Sequence, residues 1–273
     1  MRPSAGNSTG NSWVRRFHPS PDAPARLICF PHAGGAATYF FPVSKAMAPG
    51  VDVLAIQYPG RQDRRGEPCV DDVRELADLV VPQLRPWLDR PAALFGHSLG
   101  ATLAFEVALR LEGEGVALLE LFASGRRAPS RFRDERVHQR DDAGFIAEVR
   151  RLAGTDSQLL DDDEMLEMIL PSLRGDYRAA ETYRYRPGPA LSCPITAMVG
   201  DHDTHVTLDE AGAWAEHTSG QFDLKVFPGG HFYLNTQAGA VLDSTSEHIE
   251  SRLRAGELPM DRRMSMHTDQ DRS

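Results

Sequence analysis

The sequence contains few cysteines, almost no lysine and no long apolar run. Its three cysteines, Cys29, Cys69 and Cys193, are odd in number and widely spaced, which argues against a disulfide framework or a zinc knuckle. No stretch approaches the ~18 consecutive apolar residues that predict a membrane-spanning helix. Residues 1–11 lack the apolar segment of a secretory signal. We therefore expect a cytoplasmic protein that does not associate with membranes.

Basic residues are also in the minority. The 273 residues include 30 basic and 39 acidic side chains, which gives a net charge of −9. Only Lys45 and Lys225 are lysines, so nearly all of the positive charge is arginine. An acidic chain without a basic domain argues against nucleic-acid binding. With 41% apolar and 25% charged residues, the composition is that of a folded globular chain, and the length suits one large domain.

Short apolar runs alternate with helical patterns along the chain. Each run is closed by glycine or proline, a pattern typical of buried strands. The runs occupy residues 26–30, 51–58, 92–95, 118–123, 194–199 and 222–227. Apolar residues recur at helical spacing in 71–88, 99–111, 207–217 and 237–253. This alternation predicts an α/β fold with a mostly parallel central sheet flanked by helices.

One long segment breaks the alternation. Residues from about 126 to 190 contain no strand signal but include helical patterns at 142–152 and from Asp161 onward. We predict a helical lid insertion over the carboxyl ends of the strands, whose methionine and leucine residues are candidates to line an acyl pocket. The main domain is then 12–253. Residues 1–11 form a predicted flexible leader, and residues 254–273 form a predicted flexible polar tail.

The segment Gly96-His-Ser-Leu-Gly100 matches the pattern G-x-S-x-G and lies between a predicted strand and a predicted helix. In this context the serine occupies a sharp, strained turn that exposes its hydroxyl, and the flanking glycines let the strand and the helix approach closely. The amino end of the helix adds backbone N–H groups beside the reacting centre. The pattern predicts that Ser98 is a catalytic nucleophile.

A serine nucleophile needs a base, and in this type of fold the acid and then the histidine follow the serine in sequence. His231 follows Pro228-Gly-Gly230 at the end of the last apolar run, on the same sheet edge as Ser98. His217 and His248 fall in predicted helices, where we expect solvated surface positions. Asp201 and Asp203 both follow Gly200, and spacing alone does not choose between them. No second ligand cluster accompanies these residues, so no metal is expected.

The anionic intermediate of acyl transfer requires two N–H donors. One is expected from Leu99, the residue after the nucleophile. The other is expected from Phe30-Pro-His-Ala-Gly-Gly35, a loop after an early strand that is similar to the HGGG type. Ala33 is the predicted donor, because the glycines that follow it let the backbone turn inward. The segment lacks the spacing and the lysine of a phosphate-binding loop.

Several segments together carry a family resemblance. The chain resembles an α/β-hydrolase and, within that fold, a type II thioesterase, one of the editing enzymes that accompany modular polyketide and nonribosomal peptide synthases. The resemblance covers roughly residues 12–253 and is carried in order by Trp13–Phe17, Phe30–Gly35, Gln57–Arg61, Gly96–Gly100 and Pro228–Phe232. The Pro-His-Ala-Gly-Gly and Tyr-Pro-Gly-Arg motifs are far more specific than G-x-S-x-G.

The resemblance implies a mechanism and a partner. It implies Ser98 as nucleophile, His231 as base and Asp203 as acid, because hydrolases of this fold usually carry the acid three residues after the glycine; Asp201 is the fallback. It also implies Ala33 and Leu99 as oxyanion donors and hydrolysis of acyl groups from the phosphopantetheine arm of carrier proteins, with no cofactor. Nothing indicates a coiled coil, so we expect a monomer.

Carrier proteins are usually acidic, so docking to an acidic chain requires a local basic patch. The candidate arginines form two groups, Arg61, Arg64 and Arg65 in the first and Arg126, Arg127, Arg131 and Arg133 in the second.

Three alternatives to an editing thioesterase stay open: a carboxylester hydrolase of small esters with the same triad, a chain-terminating thioesterase, and a non-catalytic scaffold. An intact Ser98, His231 and Asp203 set argues against the last.

Overall fold

The computed structural model describes residues 12–153 and 163–256, so the predicted leader at 1–11, the predicted helix start at Asp161 and most of the predicted tail lie outside the described residues. Seven strands form one sheet in the order β1-β3-β2-β4-β5-β6-β7, and only the pairing of β1 with β3 is antiparallel. The strands are β1 Val14–Arg15, β2 Ala25–Phe30, β3 Val51–Ile56, β4 Ala92–His97, β5 Leu118–Ser124, β6 Ile195–Gly200 and β7 Phe222–Phe227. The predicted α/β class with its mostly parallel sheet is confirmed.

Helices cover both faces of the sheet. They are α1 Phe41–Met47, α2 Val73–Leu84, α3 Leu99–Gly113, α4 Asp142–Ala153, α5 Asp163–Thr182, α6 Leu208–Gly212, α7 Tyr233–Thr236 and α8 Ala238–Ala255. The Asp72 side chain begins α2 by accepting hydrogen bonds from the backbone N–H groups of Arg74 and Glu75, which satisfies two donors that the helix itself leaves free. The predicted helix at 207–217 divides into α6 and a 3₁₀ helix, Ala213–His217.

The central strands are buried on both faces, as parallel strands under two helical layers must be. In β2 the side chains alternate: Ile28 and Phe30 pack with α2 and α3, whereas Leu27 and Cys29 pack with α1 and α8. This alternation follows from the two-residue period of a strand. The sheet is thereby held between two apolar layers, and these layers fix the position of the carboxyl ends of its strands.

Helices α4 and α5 lie between β5 and β6 in the sequence, and we refer to them as the inserted helices. A small apolar cluster joins them to each other, formed by Val137, Phe145, Val149, Leu166 and Leu173. Ala33, on the loop after β2, also packs against this cluster. The inserted helices therefore contact the carboxyl edge of the sheet, where the turns after β2, β4, β6 and β7 meet.

Two histidines do not lie where the sequence patterns predicted. His217 is only 2% exposed, and its ring packs edge-on against Phe105 and Tyr185. His248 is partly buried in α8 and its Nδ1 lies 2.9 Å from a carboxylate oxygen of the buried Glu120. The predicted surface positions were wrong because a helical pattern does not reveal which polar residue on the inner face finds a buried partner.

The buried position of His217 predicts acid sensitivity. Burial lowers the pKa of His217 to about 4, below the usual value of 6.5. The unfolded chain therefore takes up a proton as the pH falls below 6.5, whereas the folded protein does so only near pH 4, and stability is lost across that interval. We expect His217→Phe to remove this pH-dependent loss of stability. Between pH 7 and pH 5 the free energy of unfolding of wild type should then fall by about 2 kcal/mol more than that of the variant. Urea unfolding of both proteins at both pH values measures this difference. If wild type and variant lost equal stability, His217 would not be the source of the acid sensitivity.

Candidate active site

Ser98 occupies a sharp turn between β4 and α3. Its φ angle is 55°, in the left-handed region that side chains other than glycine rarely adopt. The glycines on either side are required by close contacts: a Cβ on Gly96 would lie 2.1 Å from the Gly100 carbonyl oxygen, and a Cβ on Gly100 would lie 2.1 Å from the Phe30 carbonyl oxygen. The strain and the close approach are those of a nucleophile turn.

Ser98 and His231 line the same cavity, which has a volume of about 700 Å³. His231 lies on the turn after β7 and is 9% exposed. Its Nδ1 is 2.8 Å from Oδ2 of Asp203, whose side chain is fully buried. The other carboxylate oxygen of Asp203 accepts a hydrogen bond from the backbone N–H of His205 at 2.8 Å. The carboxylate thus binds the imidazole at Nδ1, and Nε2 is left for another partner.

Asp201 has a different role on the same turn. It is exposed, and its Oδ1 accepts a hydrogen bond from the backbone N–H of Gly229 at 2.8 Å. This bond and the neighbouring His202 hold the pKa of the Asp201 carboxyl below its usual value. Asp201 therefore ties the turn after β6 to the turn after β7 and makes no bond to His231.

Two further histidines follow from His231 in a series of neighbouring rings, and sequence reasoning gave neither a catalytic role. The ring centroid of His97 is 5.1 Å from that of His231, and that of His32 is 6.0 Å from His97. Burial, assisted by His231, lowers the pKa of His32 to about 3 and that of His97 well below its usual value, so both rings are neutral at neutral pH. Because both rings stay neutral, they do not compete with His231 for a proton.

A hydrogen-bonded chain fixes His97 from below. Its Nδ1 is 2.9 Å from Oγ of Ser124, which in turn is 2.6 Å from the hydroxyl of Tyr233. All three residues are buried. The only sequence signal for this chain was the position of His97 inside G-x-S-x-G, because the three residues come from three separate segments.

The predicted oxyanion donors belong to two separate segments of the chain. Leu99 is the first residue of α3, directly after Ser98. Ala33 lines the cavity on the loop after β2, where the N–H of Gly35 donates to the His32 carbonyl oxygen at 2.9 Å and Gly34 has a φ angle of 75°. The loop therefore turns tightly, and its glycines allow that turn.

The cavity wall is more charged than predicted. Val149, Ile169 and Leu173 from the inserted helices line it, but Met168 is 64% exposed and points away. Charged residues from the inserted segment complete the wall, namely Arg126, Arg127, Arg133, Asp134, Glu135, Arg136, Arg140, Glu148, Arg151 and Glu181. Many are paired inside the protein, as Arg127 is with Glu135. Helical periodicity cannot show that a charged side chain will turn inward to such a partner.

Most of the arginines that were candidates for carrier docking are also engaged within the protein. Arg61, Arg64 and Arg127 are between 4% and 7% exposed, which corrects their assignment to a surface patch. They are buried because each has a carboxylate partner, respectively Asp176, Glu67 and Glu135. Arg131 and Arg133 stay partly exposed but pair with Glu216 and Glu210.

Within the ranges 12–153 and 163–256, no group of histidine, cysteine, aspartate or glutamate residues is arranged to hold a metal ion. Among the helices of those ranges, none is both long enough and apolar enough to cross a membrane.

A mostly parallel sheet, a strained serine turn after a central strand and an Asp–His pair on the turns after the last two strands are the features of an α/β-hydrolase. Comparison with known proteins narrows the class. The Thioesterase domain family matches residues 25–253, and the chain belongs to this family.

Related proteins agree with this assignment. Thioesterase PikA5 of Streptomyces venezuelae is 52% identical over 245 residues, which cover 89% of this chain and 87% of that protein. The structure of BorB, a type II thioesterase from the borrelidin biosynthetic cluster, is 53% identical with a TM-score of 0.85, covering 89% of this chain and all of BorB. YbtT, a type II thioesterase from the yersiniabactin NRPS/PKS pathway, is 30% identical with a TM-score of 0.80, covering 88% and 99%. The resemblance to type II thioesterases is confirmed.

Proposed function

We propose that this chain hydrolyses acyl thioesters held on the phosphopantetheine arm of carrier proteins, through an acyl-enzyme formed on Ser98. The observation that carries the proposal is the 2.8 Å contact between Asp203 and His231 at a cavity that Ser98 also lines. Similarity to BorB, from the borrelidin biosynthetic cluster, and to YbtT, from the yersiniabactin NRPS/PKS pathway, supports a carrier-bound substrate. We assign Asp203 rather than Asp201 as the acid, because Asp203 alone of the two contacts the imidazole.

The first half-reaction forms the acyl-enzyme. Asp203 accepts the Nδ1–H of His231, which leaves Nε2 as the base that takes the proton of the Ser98 hydroxyl. The serine oxygen bonds to the thioester carbonyl carbon, and the carbonyl oxygen becomes an oxyanion that the N–H groups of Ala33 and Leu99 stabilise. The carbon–sulfur bond then breaks. The departing sulfur takes the proton from His231, so the carrier arm leaves as a thiol.

The second half-reaction releases the acid. His231 removes a proton from a water molecule, whose oxygen bonds to the acyl carbon and regenerates the oxyanion between Ala33 and Leu99. The bond to the Ser98 oxygen breaks, and His231 returns its proton to that oxygen. The products are the free carboxylic acid and the enzyme in its starting state.

The cavity wall supports short acyl units as substrates. Apolar residues such as Val149, Ile169 and Leu173 alternate in it with paired charges such as Arg127 with Glu135. A long alkyl chain pressed against those charges would remove water from them without replacing its hydrogen bonds. We therefore assign the protein an editing role, in which it removes short acyl units from carriers that have stalled or been wrongly primed.

The alternative with the same triad is a hydrolase of small carboxylic esters. We expect kcat/KM for the propionyl thioester of N-acetylcysteamine to exceed that for the matched oxygen ester, the propionyl ester of N-acetylethanolamine, by at least about tenfold, a difference of about 1.4 kcal/mol in transition-state stabilisation. The physical reason is that sulfur is a better leaving group than an alkoxide oxygen, so cleavage of the carbon–sulfur bond depends less on the proton that His231 supplies. Steady-state assays of released acid measure both substrates. A preference for the oxygen ester would favour the small-ester hydrolase.

A further inference from the structure

A buried carboxylate on α5 contacts the loop that carries Ala33. Oδ2 of Asp176 accepts a hydrogen bond from the backbone N–H of Gly34 at 2.7 Å. The same oxygen accepts a bond from Nη1 of Arg61 at 2.7 Å, and Oδ1 accepts one from Nη2 at 2.8 Å. Arg61 Nη1 also donates to the carbonyl oxygen of Gly35 at 2.9 Å. One ion pair therefore holds both glycines of the loop.

The contact is buried and closely packed. The side chains of Asp176 and Arg61 are 2% and 7% exposed. The guanidinium also lies 5.0 Å from the ring centre of Tyr58 and donates to the Pro59 carbonyl oxygen at 3.3 Å. One turn earlier on α5, Leu173 is packed so tightly on the loop that a Cβ at Gly34 would lie 2.5 Å from its Cδ1. Helix α5 thus fixes the loop by an apolar contact and by a charged one.

An ion pair of this kind adds little net stability, because removing both charges from water costs about as much as their attraction returns. Its geometry is more informative. The Gly34 N–H that donates a hydrogen bond to Asp176 belongs to the peptide unit directly after Ala33. Holding that unit restricts rotation about the backbone of Ala33 and therefore the direction of the Ala33 N–H. Oxyanion stabilisation depends on such donors being oriented before the charge develops.

We infer that Asp176 is a positioning residue for the oxyanion site: with Arg61 as its partner, it holds the loop from Ala33 to Gly35 in the shape that hydrolysis needs. Because Asp176 belongs to α5, the same contact makes that shape depend on the inserted helix being packed on the sheet domain. The inference rests on the proposed function, which assigns Ala33 as a donor.

A matched control separates positioning from general destabilisation. Asp52 is also a fully buried aspartate paired with arginines, Arg16 at 3.0 Å and Arg26 at 3.2 Å. It lies near the beginning of β3, at the end of the sheet opposite the cavity. Asp52→Asn therefore breaks the same kind of interaction without touching the loop at Ala33.

The first measurement is the steady-state hydrolysis of a propionyl thioester of N-acetylcysteamine. We expect Asp176→Asn to lower kcat by about 100-fold with little change in KM, as expected for loss of an interaction that acts in the transition state. Asp52→Asn keeps the kcat of wild type. Arg61→Lys retains one charged contact to Asp176 and is expected to fall between wild type and Asp176→Asn. Equal losses in Asp176→Asn and Asp52→Asn would overturn the inference.

The second measurement reports on the oxyanion site itself. A trifluoromethyl ketone analogue of the substrate adds to Ser98 and carries an oxyanion, whereas the neutral amide propionamide binds without adding to Ser98 and carries no charge. In Asp176→Asn the inhibition constant of the ketone is expected to rise about as much as kcat falls, with that of propionamide unchanged. An unchanged constant for the ketone would overturn the inference. Wild type that cleaves only the oxygen ester would overturn the proposed substrate instead, and the variants are then compared on that ester.

Discussion

Replacing Ser98 by alanine is expected to lower kcat for a propionyl thioester by about 10⁶-fold, because serine hydrolases lose about that much when the nucleophile is removed. The strained turn at φ 55° holds Ser98 in the wall of the cavity that His231 also lines, and the proposed acyl-enzyme forms on this side chain. Steady-state hydrolysis of the N-acetylcysteamine thioester, followed by release of free thiol, measures the loss.

A matched serine variant controls for unrelated effects of the substitution. Ser44 is 1% exposed and its Oγ accepts a hydrogen bond from the backbone N–H of His18 at 3.1 Å, on the face of the sheet that α1 covers. Ser44→Ala is expected to keep wild-type kcat and to cost only stability. If Ser98→Ala retained a tenth or more of the wild-type kcat, the covalent mechanism would be wrong.

Replacing Asp203 by asparagine is expected to lower kcat by about 10⁴-fold, as in other triads where the amide leaves the histidine in the wrong tautomer. Asparagine at this position presents an N–H₂ group or a neutral oxygen to Nδ1 of His231 in place of a carboxylate 2.8 Å away. The imidazole then loses the partner that keeps its proton on Nδ1 and stabilises its charged form. The assay is again steady-state thioester hydrolysis, at pH 7.

Asp201→Asn is the matched control for that variant. Asp201 lies two residues away on the same turn, is exposed, and accepts its bond from the Gly229 N–H, which an asparagine oxygen also accepts. We expect less than about a fivefold change in kcat, in keeping with the small effects of exposed substitutions. A large loss in Asp201→Asn together with an active Asp203→Asn would reverse the assignment of the acid.

The fold could be predicted from the sequence because its strands are apolar runs that end at glycine or proline. Each of the six predicted runs coincides with a strand of the sheet to within two residues. The elements that were not predicted lack such signals: β1 contains only Val14 and Arg15, and α1 is too short for a helical period to be visible. The two-residue strand is stabilised by pairing with β3, which no local pattern reveals.

The candidate site divides in the same way. Local motifs predicted the turns that carry Ser98 and His231, and both residues line one cavity in the structure. The choice between Asp201 and Asp203 could not be made from spacing, because both follow the same strand and only the fold determines which carboxylate faces His231. Contacts between distant segments were missed altogether, and Arg61 with Asp176, 115 residues apart, is the clearest case.

Charged residues caused the main errors of interpretation. Arg61 and Arg127 were candidates for a docking surface because an acidic carrier protein requires a local basic patch. Each instead lies beside a carboxylate that comes from elsewhere in the chain, Asp176 for one and Glu135 for the other. A carrier-docking surface is therefore to be sought among arginines that remain exposed, such as Arg65.

Removal of acyl groups from carrier-bound phosphopantetheine, the proposed activity of this protein, can be followed by intact-protein mass spectrometry. A carrier protein loaded with propionyl-phosphopantetheine is incubated with wild type or with Ser98→Ala, and p-nitrophenyl propionate is assayed in parallel. We expect wild type to return the carrier to the mass of its free-thiol form and Ser98→Ala to leave it loaded. If the carrier stays loaded while wild type cleaves the nitrophenyl ester, the proposed substrate is wrong and a small-ester hydrolase is favoured.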